Sequence, residues 1–124
     1  MPQDAKSGAA ANEYGHEVAQ LIGDKIGAIP VKDKSNEFAL EGHLITIRCA
    51  HKRTMQVGVT YTMLNRVDKV IAAFEVAKKT YALYEMSPSL YKMNLRDSKG
   101  MGKVGLVTKK VFIDIGKALS VVNL

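Results

Sequence analysis

A single domain of mixed α/β (α+β) class is what this chain predicts, and three observations carry that expectation. Residues 37–50, EFALEGHLITIRCA, alternate apolar and polar side chains on both sides of a Glu41-Gly42 pair, the pattern of two antiparallel strands joined by a two-residue turn. Residues 60–79 repeat apolar side chains at three-and-four spacing, through Met63, Leu64, Val67, Val70, Ile71, Phe74 and Ala77, as an amphipathic helix would. With 124 residues, 47% of them hydrophobic and 24% charged, the chain can bury a real core without staples and has an ordinary globular composition.

Residues 1–8 read as a disordered leader and 9–124 as the folded domain. The first helix is expected from Ala9 to Ile26, with Tyr14, Val18, Leu21 and Ile22 on one stripe, Asn12 as its cap and Gly27 just past its end. A connector containing Pro30 leads into the hairpin. Closing the chain at Glu41-Gly42 sets Leu40 opposite His43, Ala39 opposite Leu44, Phe38 opposite Ile45 and Glu37 opposite Thr46. After a cationic turn at His51, Lys52 and Arg53, a third strand is expected at Met55 to Val59. The long helix from Thr60 to Lys79 follows, capped by Thr60 or Thr62. Thr80 to Met86 alternates as a fourth strand, and Ser87-Pro88 opens a short helix ending near Arg96. A glycine-rich basic stretch, residues 97–105, runs into a strand at Val104 to Val107. The last helix, Lys109 to Leu119, turns Val111, Phe112, Ile115 and Leu119 inward.

Composition narrows the chemistry. A net charge of +6 suits a polyanionic partner such as nucleic acid. The single cysteine, Cys49, excludes an internal disulfide and a cysteine-based zinc site, and its place in the hairpin reads as a small core residue. His16, His43 and His51 lack metal-ligand spacing and the signatures of a serine or cysteine nucleophile. No apolar run reaches the ~18 residues of a membrane span. The N-terminal residues lack a signal-peptide core, so the cytoplasm is the expected location. The six methionines read as gap fillers, and Tyr81, Tyr84 and Tyr91 as core residues before base-stacking ones.

Side chains alternate faces along a strand, so Glu37, Thr46 and Arg48 share one face of the hairpin while Phe38, Ile45 and Ile47 share the other. The apolar face must be buried. An acid, a hydroxyl and a cation are left on the opposite face, either as a site or as an ordinary half-solvated sheet surface with a cross-strand pair and a salt bridge.

This arrangement resembles the PD-(D/E)xK nuclease superfamily, the restriction-endonuclease-like fold. The order helix-strand-strand-strand-helix-strand, with further C-terminal helices, is similar to the core of that fold. The hairpin is similar to its motif: Glu37 stands where the first acid starts a strand, Gly42 at the turn, Thr46 at the acid-or-glutamine position and Arg48 at the lysine position, followed by Cys49-Ala50. The resemblance covers about residues 10 to 86. It implies a metal-dependent nuclease in which carboxylates hold magnesium on a DNA phosphodiester. Glu37 and Glu17 would be the metal ligands, Glu13 the fallback one turn earlier, and the backbone carbonyl of Ile47 a further ligand. Arg48 would stabilise charge on the phosphate, and Lys52 could reach back to replace the missing lysine. With Glu37 and Thr46 these form the implied catalytic set. Arg48, Lys52, Arg53, Lys34 and Arg66 would hold the nucleic acid, DNA before RNA, and a homodimer would supply two sites for two strands.

Threonine and arginine at the acid and lysine positions depart from the motif. Three readings therefore stand: a magnesium-dependent endonuclease, a degenerate nuclease fold that binds nucleic acid without cutting it, and a protein-interaction domain on the same fold.

Overall fold

The computed structural model describes Gly15 and residues 17–31, 36–97 and 103–124; the leader, Glu13, Tyr14, His16 and Lys34 lie outside the described residues. Among the described residues the fold is mixed α/β, with four helices around a core that is mostly sheet. Helix α1 is described over 17–26. It is followed by β1 (Ile29–Pro30), β2 (Glu37–Leu40), β3 (His43–Ala50), β4 (Gln56–Thr60), α2 (Tyr61–Leu64), β5 (Lys69–Ala77), β6 (Thr80–Met86), α3 (Pro88–Asn94), β7 (Arg96–Asp97), β8 (Val104–Thr108), α4 (Lys109–Ile115) and β9 (Lys117–Asn123).

The hairpin forms in the expected register: Glu37 faces Thr46, Phe38 faces Ile45, Ala39 faces Leu44 and Leu40 faces His43. Its turn takes Glu41 and Gly42 at φ 52° and 82°, the doubly left-handed geometry that suits the twist of paired strands and makes glycine the natural second residue. At the end of α1 the Ala28 amide donates to the Gly23 carbonyl at 2.8 Å, closing the helix where Gly27 marks its end.

Three expected elements are corrected. The strand expected at Met55 to Val59 forms as β4, one residue later, but does not continue the hairpin as a meander. It pairs antiparallel with β8 in a separate three-stranded sheet of order β4-β8-β7. The helix expected over Thr60 to Lys79 is a single turn, α2, capped by the Thr60 hydroxyl, and the rest becomes β5. β5 runs parallel to β3, with Ile47 beside Ile71 and Ala50 beside Phe74, in a six-stranded sheet of order β1-β2-β3-β5-β6-β9. Residues 70–74 are apolar on both faces, because a strand at the middle of a covered sheet has no solvent side there, and such a run satisfies helical spacing as readily as strand spacing. The last helix stops at Ile115 with Gly116 as its cap, and the chain returns as β9, pairing with β6. The short helix opened by Ser87 and Pro88 forms as expected and ends at Asn94, slightly before Arg96.

Two cores lie on the two faces of the main sheet. On one, Val18, Ala19 and Ile22 of α1 pack on Phe38, Ile45, Ile47, Ile71, Ala73 and Leu83. The other is closed by the small sheet with α2, α3 and α4, which bring Val57, Val59, Leu64, Tyr91, Val107 and Phe112 against Val70, Ala72 and Phe74. The Phe112 ring links Phe74 and Tyr91 edge-on, at centroid distances of 5.8 and 6.2 Å.

Burial decides the cost of one small change. A Cβ on Gly23 would lie 2.8 Å from Cε2 of Phe38, whose side chain is fully buried and has no room to turn aside. Gly23→Ala is therefore expected to destabilise by about 1–3 kcal/mol through overpacking, against about 1 kcal/mol gained in helix propensity. Urea unfolding measures the balance; a variant as stable as the parent would show that α1 does not rest on the Phe38 ring.

Candidate nucleic-acid interface

The hairpin face that carries Glu37, Thr46 and Arg48 is covered. Glu37 is 3% exposed and Thr46 fully buried, because α2 and the small sheet pack over them. The Thr46 hydroxyl donates to the Asn36 carbonyl at 2.9 Å. Nη2 of Arg66, just after α2, donates to Oε1 of Glu37 at 3.0 Å, so this carboxylate is held by a partly exposed guanidinium and not by a metal-sized gap. Arg48 is half-buried on the same face. Burial draws its pKa down from the usual arginine value, with Cys49 and Tyr91 acting weakly the other way; a guanidinium still stays protonated at any ordinary pH.

Glu17, the second expected metal ligand, is exposed on α1. That helix packs on the Phe38 and Ile47 side of the main sheet, while Glu37 points to the other side. The sheet therefore separates the two carboxylates. Ile47 sits fully buried at the centre of the sheet. Among the described residues no three His, Cys, Asp or Glu side chains gather where a metal ion could be held. Magnesium needs at least one or two carboxylates open to water and phosphate. Glu37, buried and ion-paired, and Glu17, across the sheet, do not fit it.

The expected nucleic-acid residues also part company. Arg66 belongs to the end of the main sheet where β5 begins, beside Glu37. Lys52 and Arg53 lie at the other end, past Ala50, which ends β3 four residues or about 13 Å beyond Thr46. There they have company that the sequence alone did not reveal. The Lys52 amide donates to Oε1 of Glu75 at 3.0 Å, and Nδ1 of His51 lies 3.7 Å from the same oxygen. Three residues past Glu75 comes the β5–β6 turn, Lys78-Lys79. The Lys109 amide, at the start of α4, donates to the Met55 carbonyl at 2.7 Å, and its Nζ lies 5.9 Å from the centre of the Phe74 ring.

One end of the molecule thus carries three dibasic pairs, Lys52-Arg53, Lys78-Lys79 and Lys109-Lys110, on three separate connections. All six side chains except the half-buried Lys109 are exposed. Glu75 is the acid that stands among them, already bonded to His51 and to the Lys52 amide. Asp114 follows one helical turn after Lys110. Lys78-Lys79 and Lys109-Lys110 are unremarkable surface doublets in sequence, and the parallel β3–β5 pairing and the β4–β8 ladder bring them to the end that carries Lys52-Arg53.

The aromatic side chains near this end are committed to packing. Tyr81 is 2% exposed, Phe74 1%, and Tyr91 and Phe112 fully buried. Tyr84 is half-buried beside Phe74, at a centroid distance of 6.3 Å. Tyr91 donates its hydroxyl to the Gly105 carbonyl at 2.7 Å and so ties α3 to the small sheet.

Two consequences of the covered hairpin face are measurable. Arg66→Ala leaves Glu37 without its guanidinium partner in a buried position, and is expected to lower stability by about 2 kcal/mol in urea unfolding, the scale of a hydrogen bond to a charged group. A loss under ~0.5 kcal/mol would place this pair with ordinary surface salt bridges. Cys49 gives the second. Burial pushes its thiol from 9.0 up to about 12, against a smaller opposing effect of Arg48. The neutral thiol is then the favoured folded form, so this contribution to stability is complete below pH 9 and is lost as pH rises towards 12. At pH 8 the folded thiolate population is about a thousandfold below that of the unfolded chain, and a thiol-reactive disulfide reagent should label Cys49 only in urea.

No protein-family model, curated protein or solved structure matches the chain, and its chemistry is read from its own residues.

Proposed function

We propose that this protein is a nucleic-acid-binding module that does not cut its partner, and that it grips the phosphate backbone with the basic end formed by Lys52, Arg53, Lys78, Lys79, Lys109 and Lys110. The observation that carries this reading is that the fold brings three dibasic pairs from distant parts of the chain to one end of the main sheet, where Glu75 already accepts from the Lys52 amide. Scattered cations are a solvated surface. Cations gathered by the fold repel one another and persist where an anion relieves the repulsion.

Helix α4 adds a local sign of the same conflict. Its first turn carries Lys109 and Lys110 and no acid. Cations there oppose the helix dipole, each by roughly 0.3–1 kcal/mol. The Phe74 ring beneath Lys109 offsets part of this, at about 0.5–1 kcal/mol for an exposed cation–π contact. For Lys110 the offsetting group on its own helix is Asp114, one turn later, while the first turn itself carries no acid. A lysine placed where it costs stability is more readily explained by what it binds than by what it holds together.

Cleavage is not part of this reading, since Glu37 is ion-paired and Glu17 lies across the sheet. The resemblance to the PD-(D/E)xK superfamily is confined to the hairpin. The one-turn α2 and the parallel β3–β5 pair speak against that order of elements, and the proposed binding does not depend on it. DNA is the first nucleic acid to try, because the hairpin resemblance points to it.

The test is fluorescence anisotropy with a labelled 20-base-pair DNA. Binding is expected to weaken steeply with salt, with a log–log slope on the order of −4 to −5 for about five neutralised phosphates. It should be unchanged by EDTA, and magnesium should produce no cleavage. Lys110→Glu is expected to weaken binding about tenfold while the melting temperature changes little, because the gain of an acid in that first turn from the helix dipole is offset by its repulsion from Asp114 one turn later. No binding at 50 mM salt would overturn the proposal, as would equal affinity of the Lys110→Glu variant. Binding to vesicles rich in phosphatidylserine without binding to DNA would overturn it in favour of a membrane surface.

A further inference from the structure

We infer that the basic end is built for the double-stranded form of nucleic acid over the single-stranded one, an inference that rests on the binding function proposed above. Single-strand binders combine a cationic track with exposed rings on which successive bases stack, and the stacking supplies much of the affinity. Here the rings next to the cations are taken. Phe74 and Phe112 pack edge to face in the second core, Tyr84 leans on Phe74, and the Lys109 ammonium sits over the Phe74 ring. Tyr81 points into the first core. Tyr61, the one half-buried tyrosine of α2, is at the far end of the molecule, with its hydroxyl bonded to Asp97. Among the described residues no exposed phenylalanine or tyrosine ring lies at the basic end, and the ring that is exposed there, the His51 imidazole, sits 3.7 Å from the Glu75 carboxylate.

A surface that works chiefly through charge distinguishes the two forms by charge density. A duplex carries one phosphate per ~1.7 Å of axis and releases about 0.9 counterion per neutralised phosphate, against about 0.7 for a single strand. The same cations therefore gain more from a duplex. Their placement agrees. Lys52-Arg53, Lys78-Lys79 and Lys109-Lys110 sit on three connections spread over the end, with the Lys78-Lys79 turn about 10 Å along the strand from Glu75, where Lys52 is anchored. Such a spread can meet phosphates of both strands at once, whereas a single file of phosphates would follow one track.

Backbone conformation at Lys79 points the same way. Lys79 has φ 59°, in the left-handed region that glycine and asparagine occupy readily and a lysine does not. The strand ladder on both sides of the turn, from Ala77 opposite Thr80 inward, holds it there. A glycine would make the same turn without strain, but it would remove one of the two charges of this exposed turn. The lysine is explained by its ammonium group.

The experiment compares a 20-base-pair duplex with its single strands by anisotropy at 100 mM salt, using the full chain and Lys79→Gly. The expected results are duplex binding about tenfold or more tighter than single-strand binding, and a steeper salt dependence for the duplex. Lys79→Gly should lose about threefold or more in duplex affinity, while its melting temperature is equal or higher because the strained turn is relieved. Single strands bound as tightly as the duplex would overturn the duplex preference and leave the binding function standing. Failure to bind either form would overturn both. Unchanged duplex affinity in Lys79→Gly, with a raised melting temperature, would remove the β5–β6 turn from the interface.

Discussion

The parallel pairing of β3 with β5 is the contact on which the rest of this structure depends. β5 is covered on both faces, with Val70, Ala72 and Phe74 in one core and Ile71 and Ala73 in the other. A parallel neighbour requires the chain to leave the sheet after β3 and come back at the same end from which β3 started. Residues 51–68 make that crossing, and they do so by spinning off β4 and the turn of α2 on one face of the sheet. The small sheet, the three later helices and the second core all follow from this crossing, since β4 then needs β8 for its unpaired edge. At the two ends of the β3–β5 pair, acids on the β5 side take amides on the β3 side: Asp68 accepts from the Leu44 amide and Glu75 from the Lys52 amide.

This crossing also determines what the hairpin can do. An antiparallel meander would have left the face of Glu37, Thr46 and Arg48 free to open onto a cleft. With α2 and the small sheet above it, the same face becomes the roof of a core, and its polar groups must find partners inside the protein or pay in desolvation. Thr46 and Glu37 find them, in the Asn36 carbonyl and the Arg66 guanidinium. Alternation correctly placed these side chains on one face. It could not say whether the face would be covered, because that is decided by a strand twenty residues further along the chain.

The parts of the fold that were legible are those governed by short-range chemistry. Glu41-Gly42 specifies a turn whose backbone angles few other residue pairs adopt, and the register of β2 and β3 follows from it to the residue. Ser87-Pro88 opens α3 for an equally local reason, with serine accepting the Leu90 amide. β5 was illegible because full burial erases the alternation that marks a strand, leaving VIAAF with apolar residues at every spacing at once. β9 was hidden by the helix before it, whose end at Gly116 is marked by a single residue with Lys117, Ala118 and Leu119 following in good helical style. For the candidate interface, Lys52 and Arg53 could be singled out because they adjoin the hairpin. Lys78-Lys79 and Lys109-Lys110 could not, since what makes them part of one surface is the long-range pairing.

Charge is where the fold and the proposed function pull in different directions. Each dibasic pair sits at a connection, where side chains are exposed and backbone geometry leaves room for a more stabilising residue: an acid at the first turn of α4, a glycine at the left-handed Lys79. Loops held on rigid elements are where proteins place residues that serve binding, because a poorer local choice there costs little to the core. The second core, with Phe74 and Phe112 locked edge to face directly under Lys109, supplies that rigidity. Packing the rings inside fixes the positions of the cations, and it also withholds those rings from any base. The same arrangement that makes the basic end rigid therefore leaves the proposed binding to rest chiefly on the cations and not on these rings.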